Sequence, residues 1–121
     1  MEEYKKPCIV LVARDPDEDV LRQLLAGTEE EGIPAEVMRA RYSEVMSETH
    51  NASEASRLGI GIGVFGNRVI LHFNKLREDK PVIDTRIGRF ELYKARNIGS
   101  NAARLYKVMP LKGDVEVQNE G

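Results

Sequence analysis

The clearest hydrophobic pattern at the start of the chain is the continuous apolar run of residues 8–13. A run this short, without polar alternation, predicts a strand buried on both faces, the kind found in parallel sheets. Asp17 then begins a predicted helix, whose leucines recur at helical spacing until about Glu31, where Gly32 ends the pattern. Residues 35–40 form a second short strand, so the chain opens with a βαβ unit.

A polar stretch follows and gives a much weaker signal. Residues 41–57 contain few apolar positions, and we predict only a short helix from about Ala52 to Leu58, with Asn51 or Ser53 as its N-cap. No familiar motif matches this stretch, so its contribution to the fold is the least defined by the sequence.

In residues 58–65 apolar side chains alternate strictly with glycine. This period of two predicts a strand whose glycine face lies against another backbone or side chain. Gly66 and Asn67 predict a tight turn, and residues 68–73 the returning strand of a hairpin. Beyond a charged loop, residues 81–84 predict a short extended piece at the edge of the sheet.

The last part of the chain has apolar residues at helical spacing from Phe90 to Tyr106. The Gly-Ser-Asn sequence at residues 99–101 interrupts this pattern and predicts either one helix with a weak point or two short helices. Pro110 is expected to end the helical region.

Length and composition fit one domain. The 121 residues, 41% hydrophobic and 31% charged, are enough for a single core, and no linker or repeat divides them. We therefore predict a single α/β domain over residues 1–121, with a core of about 7–112 and a small mixed sheet. The tail, residues 113–121, is polar and is predicted to fray.

Charge and cysteine content exclude several classes of protein. The 18 basic and 20 acidic residues give a net charge of −2, which argues against nucleic acid as a partner. No apolar run in the sequence is long enough to cross a membrane, and the acidic start of the chain does not resemble a signal peptide. Cys8 is the single cysteine, so no internal disulfide is expected and a cytoplasmic location is predicted.

We predict no catalytic and no cofactor-binding residue. The glycines of residues 59–63 alternate within a strand instead of opening a helix, and the sequence has no P-loop, so nucleotide binding is not expected. Cys8 lies in the buried strand, which predicts an inert thiol. His50 and His72 lie far apart in the sequence, without a nucleophile at a known spacing, and His72 is predicted to face solvent.

Three consecutive acids, Glu29, Glu30 and Glu31, close the first predicted helix. Negative charge at a helix C-terminus opposes the helix dipole, by about 0.3–1 kcal/mol for each exposed residue. Two interpretations remain open. The acids form a solvated surface run, or one carboxylate reaches a cation or a basic group that offsets its unfavourable placement.

Three segments carry a resemblance to a known family, residues 27–34 (GTEEEGIP), 58–63 (LGIGIG) and 98–111 (IGSNAARLYKVMPL). In this order, the chain resembles the small subunits of diol and glycerol dehydratase reactivases. The glycine strand and the Gly-x-Asn-Ala-Ala helix also resemble part of the medium subunit of the adenosylcobalamin-dependent dehydratases. The likeness covers about residues 8–112, and its last segment is the most specific.

The resemblance implies a three-layer α/β/α sandwich with a mixed sheet and a chaperone-like role in subunit exchange. In that family an actin-like large subunit hydrolyses ATP, and the small subunit contributes no catalytic residue. The small subunit changes places with the dehydratase medium subunit, which loosens the inactivated enzyme so that damaged adenosylcobalamin leaves. Because this sequence has no D-x-H-x-x-G motif, the chain itself is not expected to bind cobalamin. The substrate of the partner dehydratase would be glycerol or propane-1,2-diol. The complex would act in the open cytoplasm or inside a bacterial microcompartment.

The resemblance also implies a role for the acidic run. In the family, a glutamate at the end of the first helix reaches a Mg²⁺ site on the large subunit, and Glu30 occupies the matching place. Glu30 is therefore the one metal ligand expected from this chain, with Mg²⁺ shared between the subunits. Glu29 and Glu31 are expected to remain solvated.

Two other functions remain alternatives. The first is a medium-subunit-like component of a cobalamin-dependent dehydratase, although such subunits carry extra N-terminal sequence that this chain lacks. The second is a free-standing domain that binds a small ligand, for which no motif speaks. A reactivase subunit without its partner is expected to form a homodimer. Residues 74–80 and 99–101 are expected near the partner interface.

Overall fold

The computed structural model describes residues 6–41 and 44–112, with side chains described as far as Lys107. Its elements are β1 (Ile9–Arg14), α1 (Glu18–Glu30), β2 (Ala35–Arg39), α2 (Val45–Ala55), β3 (Ile60–Phe65), β4 (Arg68–Phe73), β5 (Ile83–Arg86) and α3 (Leu92–Lys112). The tail that was predicted to fray, residues 113–121, lies outside the described residues. None of the helices in the described part combines the length and the apolar character that a membrane crossing demands.

The five strands form one mixed sheet in the order β2-β1-β3-β4-β5. β1 pairs in parallel with both β2 and β3, whereas β4 pairs antiparallel with both β3 and β5. Residues 9–12 of β1 are fully buried on both faces, as the continuous apolar run predicts. The βαβ opening, the β3–β4 hairpin and the edge strand β5 are confirmed, with β5 two residues further along the chain than expected.

Helices cover both faces of the sheet, so the domain is the expected three-layer α/β/α sandwich. α1 and α3 lie together on one face, where Leu24 and Ile98 belong to the larger of two apolar clusters. α2 lies alone on the other face, and its Ala52 and Ala55 belong to the smaller cluster.

The glycine face of β3 lies directly against α2, as predicted. A Cβ atom on Gly61 would stand 2.5 Å from the backbone nitrogen of Ser53 and 2.7 Å from the carbonyl oxygen of Thr49. A Cβ atom on Gly63 would overlap the hydroxyl of Thr49. Because side chains do not fit at such distances, these glycines allow α2 to approach the sheet at backbone contact.

The helix predicted over residues 52–58 is wrong in position, because α2 begins seven residues earlier. Its N-cap is Glu44, whose carboxylate accepts hydrogen bonds from the first backbone N–H groups of the helix. The apolar periodicity is weak because α2 buries the polar side chains of Glu48, Thr49 and Ser53. Each of these side chains is satisfied by a backbone group, which hydropathy alone does not reveal.

α3 is one continuous helix, and the Gly-Ser-Asn sequence does not break it. A Cβ atom on Gly99 would overlap the carbonyl oxygen of Leu24, and one on Gly27 would overlap the backbone of α3. The glycine signal therefore marks a close approach of two helices. Pro110 was expected to end α3, yet the backbone stays helical to Lys112, two residues beyond it. The fixed φ of proline lies in the helical range, so this short extension loses the hydrogen bond of the missing N–H but keeps its backbone conformation.

Candidate functional site

The acidic end of α1 lies beside α3, which supplies the positive charge that the last turn of α1 lacks. α1 ends at Glu30, Glu31 is its C-cap residue, and Gly32 has a φ of +76°, the left-handed conformation that often ends a helix. The last turn of α1, all of it described, contains no basic residue to offset the helix dipole. The geometry separates the three consecutive glutamates into three different environments.

Glu31 is enclosed by three donors from α3. Its Oε1 accepts from Lys107 Nζ at 3.0 Å, while its Oε2 accepts from Ser100 Oγ at 2.8 Å and from Arg104 Nε at 3.0 Å. The side chain is 14% exposed, and these bonds, that from Lys107 foremost, lower the pKa of the carboxyl to about 2. The expectation that Glu31 stays solvated is therefore wrong, because it forms a polar link between α1 and α3.

Glu30 is more open and has one cationic neighbour. Its Oε2 lies 2.6 Å from Arg96 Nη2, and its side chain is 49% exposed. Arg96 Nη1 also lies 3.5 Å from the side-chain oxygen of Gln23, so α1 contacts the guanidinium at two places. Glu29 is exposed and borders an open groove that Ile33 also lines. The basic group that the acidic run requires is thus supplied within the chain.

The spacing of the α3 residues was the signal that sequence reasoning missed. Residues 96, 100, 104 and 107 are separated by four, four and three positions, so they share one face of a helix. That face turns towards the end of α1, where it meets Glu30 and Glu31. The match between an acidic helix end and a basic helix face was readable only once the two helices were known to be neighbours.

Glu30 carries the half-exposed carboxylate at the end of α1, and a carboxylate is the kind of oxygen ligand that Mg²⁺ takes. Mg²⁺ prefers hard oxygen ligands and keeps several waters, and proteins usually bind it through one or two carboxylates together with phosphate oxygens. Within residues 6–41 and 44–112, no group of three or more His, Cys, Asp or Glu side chains is placed to hold a metal ion. Glu30 would contribute one carboxylate ligand, and another chain and water would supply the rest. Arg96, bound at Oε2, is the cation with which such an ion would have to compete.

The two histidines, far apart in the sequence, meet beneath the loop of residues 74–80. Their ring centroids lie 4.6 Å apart in an edge-to-face arrangement. His72 is completely buried, so the prediction that it faces solvent is wrong. β4 is an inner strand with α2 on that side, and an alternating pattern does not show when the second face of a strand is also covered.

The hydrogen bonds of the two histidines indicate a structural role. The backbone N–H of Phe73 donates to Nδ1 of His72 at 3.1 Å, which places the ring proton on Nε2, 2.8 Å from the carbonyl oxygen of Glu78. Nε2 of His50 lies 2.9 Å from the carbonyl oxygen of Leu76. Burial is the main cause that lowers the pKa of His72. The two rings therefore hold the backbone of the loop.

Cys8 lies directly before β1 and is buried, as predicted. Burial in the first place, and the charge of Glu36 in the second, raise the pKa of its thiol. A buried thiol with a raised pKa is a poor nucleophile.

The similarity of this chain to known families and relatives extends over nearly its whole length. The family described as dehydratase medium subunit matches residues 6–112. The diol dehydratase-reactivating factor small subunit of Klebsiella michiganensis is 30% identical over 109 residues, which is 90% of this chain and 86% of that protein. The propanediol dehydratase-reactivating factor small subunit of Citrobacter freundii is 33% identical over 106 residues, 88% of this chain and 90% of the relative.

Solved structures share the fold. A chain of diol dehydratase-reactivating factor, in a structure complexed with ADP and Mg²⁺, superposes with a TM-score of 0.77 at 30% identity and covers 85% of this chain and 94% of that one. A chain of glycerol dehydratase reactivase superposes with a TM-score of 0.76 over 93% of this chain and 100% of its own length, and its 23% identity supports the shared fold alone. The chain belongs to the dehydratase medium subunit family and is a relative of the reactivating-factor small subunits.

Proposed function

We propose that this chain is the non-catalytic small subunit of a diol or glycerol dehydratase reactivase, working with an actin-like large subunit that hydrolyses ATP. The observation that carries the proposal is similarity to reactivating-factor small subunits over about nine tenths of both chains. Such coverage supports the view that this chain corresponds to the whole small subunit of those factors. We place its action in the cytoplasm.

Subunit exchange is the mechanism that the family relationship favours. Membership of the dehydratase medium subunit family supports a surface on this chain that competes with a medium subunit for one site on the dehydratase large subunit. Transient occupation of that site would loosen an inactivated enzyme and let damaged adenosylcobalamin leave. A partner that must leave again needs an interface of moderate size with a polar rim.

Glu30 is the residue through which this chain would join the reactivase large subunit by means of Mg²⁺. Its carboxylate is half exposed, at the end of a helix that the Glu31 network fixes against α3. A magnesium ion bound there would link oxygen ligands of the two subunits. Related support comes from the reactivating-factor structure that contains ADP and Mg²⁺.

Co-purification with the cognate large subunit, with and without Mg²⁺, tests both parts of the proposal. We expect a stoichiometric complex that Mg²⁺ strengthens and that Glu30→Gln weakens. Glu29→Gln is the matched control, since it removes the same charge one residue away at an exposed position, and it should bind like the wild type. A complex that ignores Glu30→Gln would leave the subunit role standing and remove the metal ligand. The absence of any complex would refute the subunit role.

A second function is favoured by the description of the matching family, dehydratase medium subunit. In that case the chain would be a lasting component of a cobalamin-dependent dehydratase. It would then bind the dehydratase large subunit stably and support dehydration of glycerol or propane-1,2-diol, without needing a reactivase large subunit.

A further inference from the structure

Two exposed aromatic residues lie where the chain enters α3, Phe90 in the preceding turn and Tyr93 in the first turn of the helix. Among the described residues, three large hydrophobic side chains are exposed: Val37 at 47%, Tyr93 at 61% and Phe90 at 87%. Val37 lies alone on β2 at one edge of the sheet, whereas Phe90 and Tyr93 are three residues apart, shortly after β5 at the other edge. Single exposed apolar residues are ordinary, but paired exposed aromatic side chains are typical of the centre of a protein interface.

Basic residues surround this pair. Residues 86–96 contain four basic side chains and one acidic side chain, in a chain whose net charge is −2. The guanidinium of Arg89 lies 6.0 Å from the centroid of the Phe90 ring, and Lys94 pairs with the one acid, Glu91, at 2.9 Å. Aromatic residues together with arginine are the composition that protein interfaces favour.

Tyr93 stands on α3 next to the site of Glu30, and Phe90 lies in the turn that precedes this helix. Gly27 and Gly99 bring α1 and α3 into backbone contact, which limits relative motion of the two helices. Tyr93 and Arg96 are three residues apart on α3, so they are neighbours on its surface, and Arg96 contacts Glu30. A helix backbone fixed in this way loses little conformational entropy on binding.

We propose that the aromatic patch, defined as Phe90 and Tyr93 with the flanking Arg89 and Arg96, is the surface on which the reactivase large subunit docks. The inference rests on the proposed function and assigns it a contact surface. Its occupant is an acidic protein surface with an apolar recess for the Phe90 ring. A second copy of this chain fits poorly, because a two-fold contact through the patch sets its basic residues against the same basic residues.

Binding of the purified full-length chain to the cognate large subunit, measured by calorimetry with Mg²⁺ present, tests the assignment. Phe90→Ala is expected to weaken binding about tenfold or more, and Tyr93→Ala about fivefold or more, with unchanged unfolding midpoints because both side chains are exposed. Val37→Ala, the matched control at the opposite edge of the sheet, should bind like the wild type. Arg89→Glu should weaken binding at low salt and do so less as salt is raised.

Each outcome separates the docking surface from the subunit role. If the wild type binds and both Phe90→Ala and Tyr93→Ala bind equally well, the docking assignment is overturned while the reactivase role stands. If Phe90→Ala abolishes a homodimer and leaves binding to the large subunit unchanged, the patch is a self-association surface and the assignment is again overturned. If the wild type does not bind the large subunit, the proposed function itself fails.

Discussion

The two faces of the sheet are closed by the same device and differ in the chemistry that they enclose. On one face Gly27 and Gly99 bring α1 and α3 together, and on the other Gly61 and Gly63 bring α2 onto β3. The α1–α3 face covers the larger apolar cluster and keeps its charged groups at the rim. The α2 face covers the smaller cluster and buries polar side chains, namely Glu48, Thr49, Ser53, Ser56 and His72.

Because of this difference, contacts on the α1–α3 face should depend on salt, whereas contacts on the α2 side should depend on pH. Charges at the rim of the α1–α3 face are reachable by salt and by a partner, so they suit contacts that form and break. On the α2 side, His50 and His72 are bonded to the backbone of the exposed loop of residues 74–80, and His72 makes the stability of this side depend on pH. The ion pairs between α1 and α3 are therefore suited to contacts with a partner.

The largest effect on stability is expected from adding a methyl group where α1 and α3 are in backbone contact. Gly99→Ala places a Cβ atom against the carbonyl oxygen of Leu24, so the free energy of unfolding should fall by about 2–4 kcal/mol. Urea denaturation measures the change, and Asn101→Ala, exposed on the same helix, should stay within about 0.5 kcal/mol of the wild type. Gly61→Ala is expected to be similarly damaging on the other face. If Gly99→Ala were as stable as the wild type, the glycine contact between α1 and α3 would not be needed in the way that the contact between α2 and β3 is.

The second prediction concerns the stability that the buried His72 contributes on the α2 side, which should depend on pH. Because burial lowers the pKa of His72, the unfolded chain binds a proton near pH 6.5 that the folded chain does not. The stability contributed by the neutral ring is therefore complete above that pH and falls as the pH drops towards the lowered pKa. The slope for one proton is at most about 1.4 kcal/mol per pH unit.

His72→Gln tests this pH dependence, because its side-chain amide keeps a donor for the Glu78 carbonyl oxygen and does not titrate. Unfolding measured between about pH 5 and 8 should show a flatter dependence in the variant. The groups that face His72, namely His50, Glu78 and, through His50, Glu54, remain in both proteins. Identical slopes in wild type and variant would contradict the assignment.

The smallest effect is expected from the charged rim. Glu31→Gln removes an anion that has three donors, whereas Glu30→Gln removes one that has a single ion pair, so the former should lower the unfolding midpoint more at neutral pH. Because the pKa of Glu31 is lowered from 4.5 to about 2, its contribution is present above pH 4.5 and is lost as the pH falls through about 2. The wild type and Glu31→Gln should therefore converge in acid. Thermal denaturation with equal midpoints for the two variants at neutral pH would contradict the difference.

The elements that the sequence predicted well are those whose signal is local. The apolar run of β1 and the Gly66 turn carry their own conformational information, and both appear where expected. α2 was misplaced because its buried side chains are polar, and only the finished fold shows the backbone groups that satisfy them. Gly99 was read as a weak point because a sequence does not show that another helix lies against it.

The candidate site was predictable to a similar depth. The acidic run was singled out as an unfavourable charge placement because the helix dipole is a local property, and a solvated run and a compensated carboxylate both remained open. The compensating residues on α3 lie more than sixty positions away in the sequence, so their contacts with Glu30 and Glu31 depend on tertiary packing. Whether Glu30 also binds Mg²⁺ stays a prediction for the co-purification experiment.

Both edges of the sheet are short strands that bear charges. β2 has five residues, among them Glu36 and Arg39, and β5 has four, with Asp84 paired to Arg68 at 2.8 Å. Edges of this kind resist strand addition between molecules, which is the usual route from an open sheet to fibrous aggregates. The charges on β2 and β5 therefore protect the chain against edge-to-edge pairing with other copies when no partner covers it.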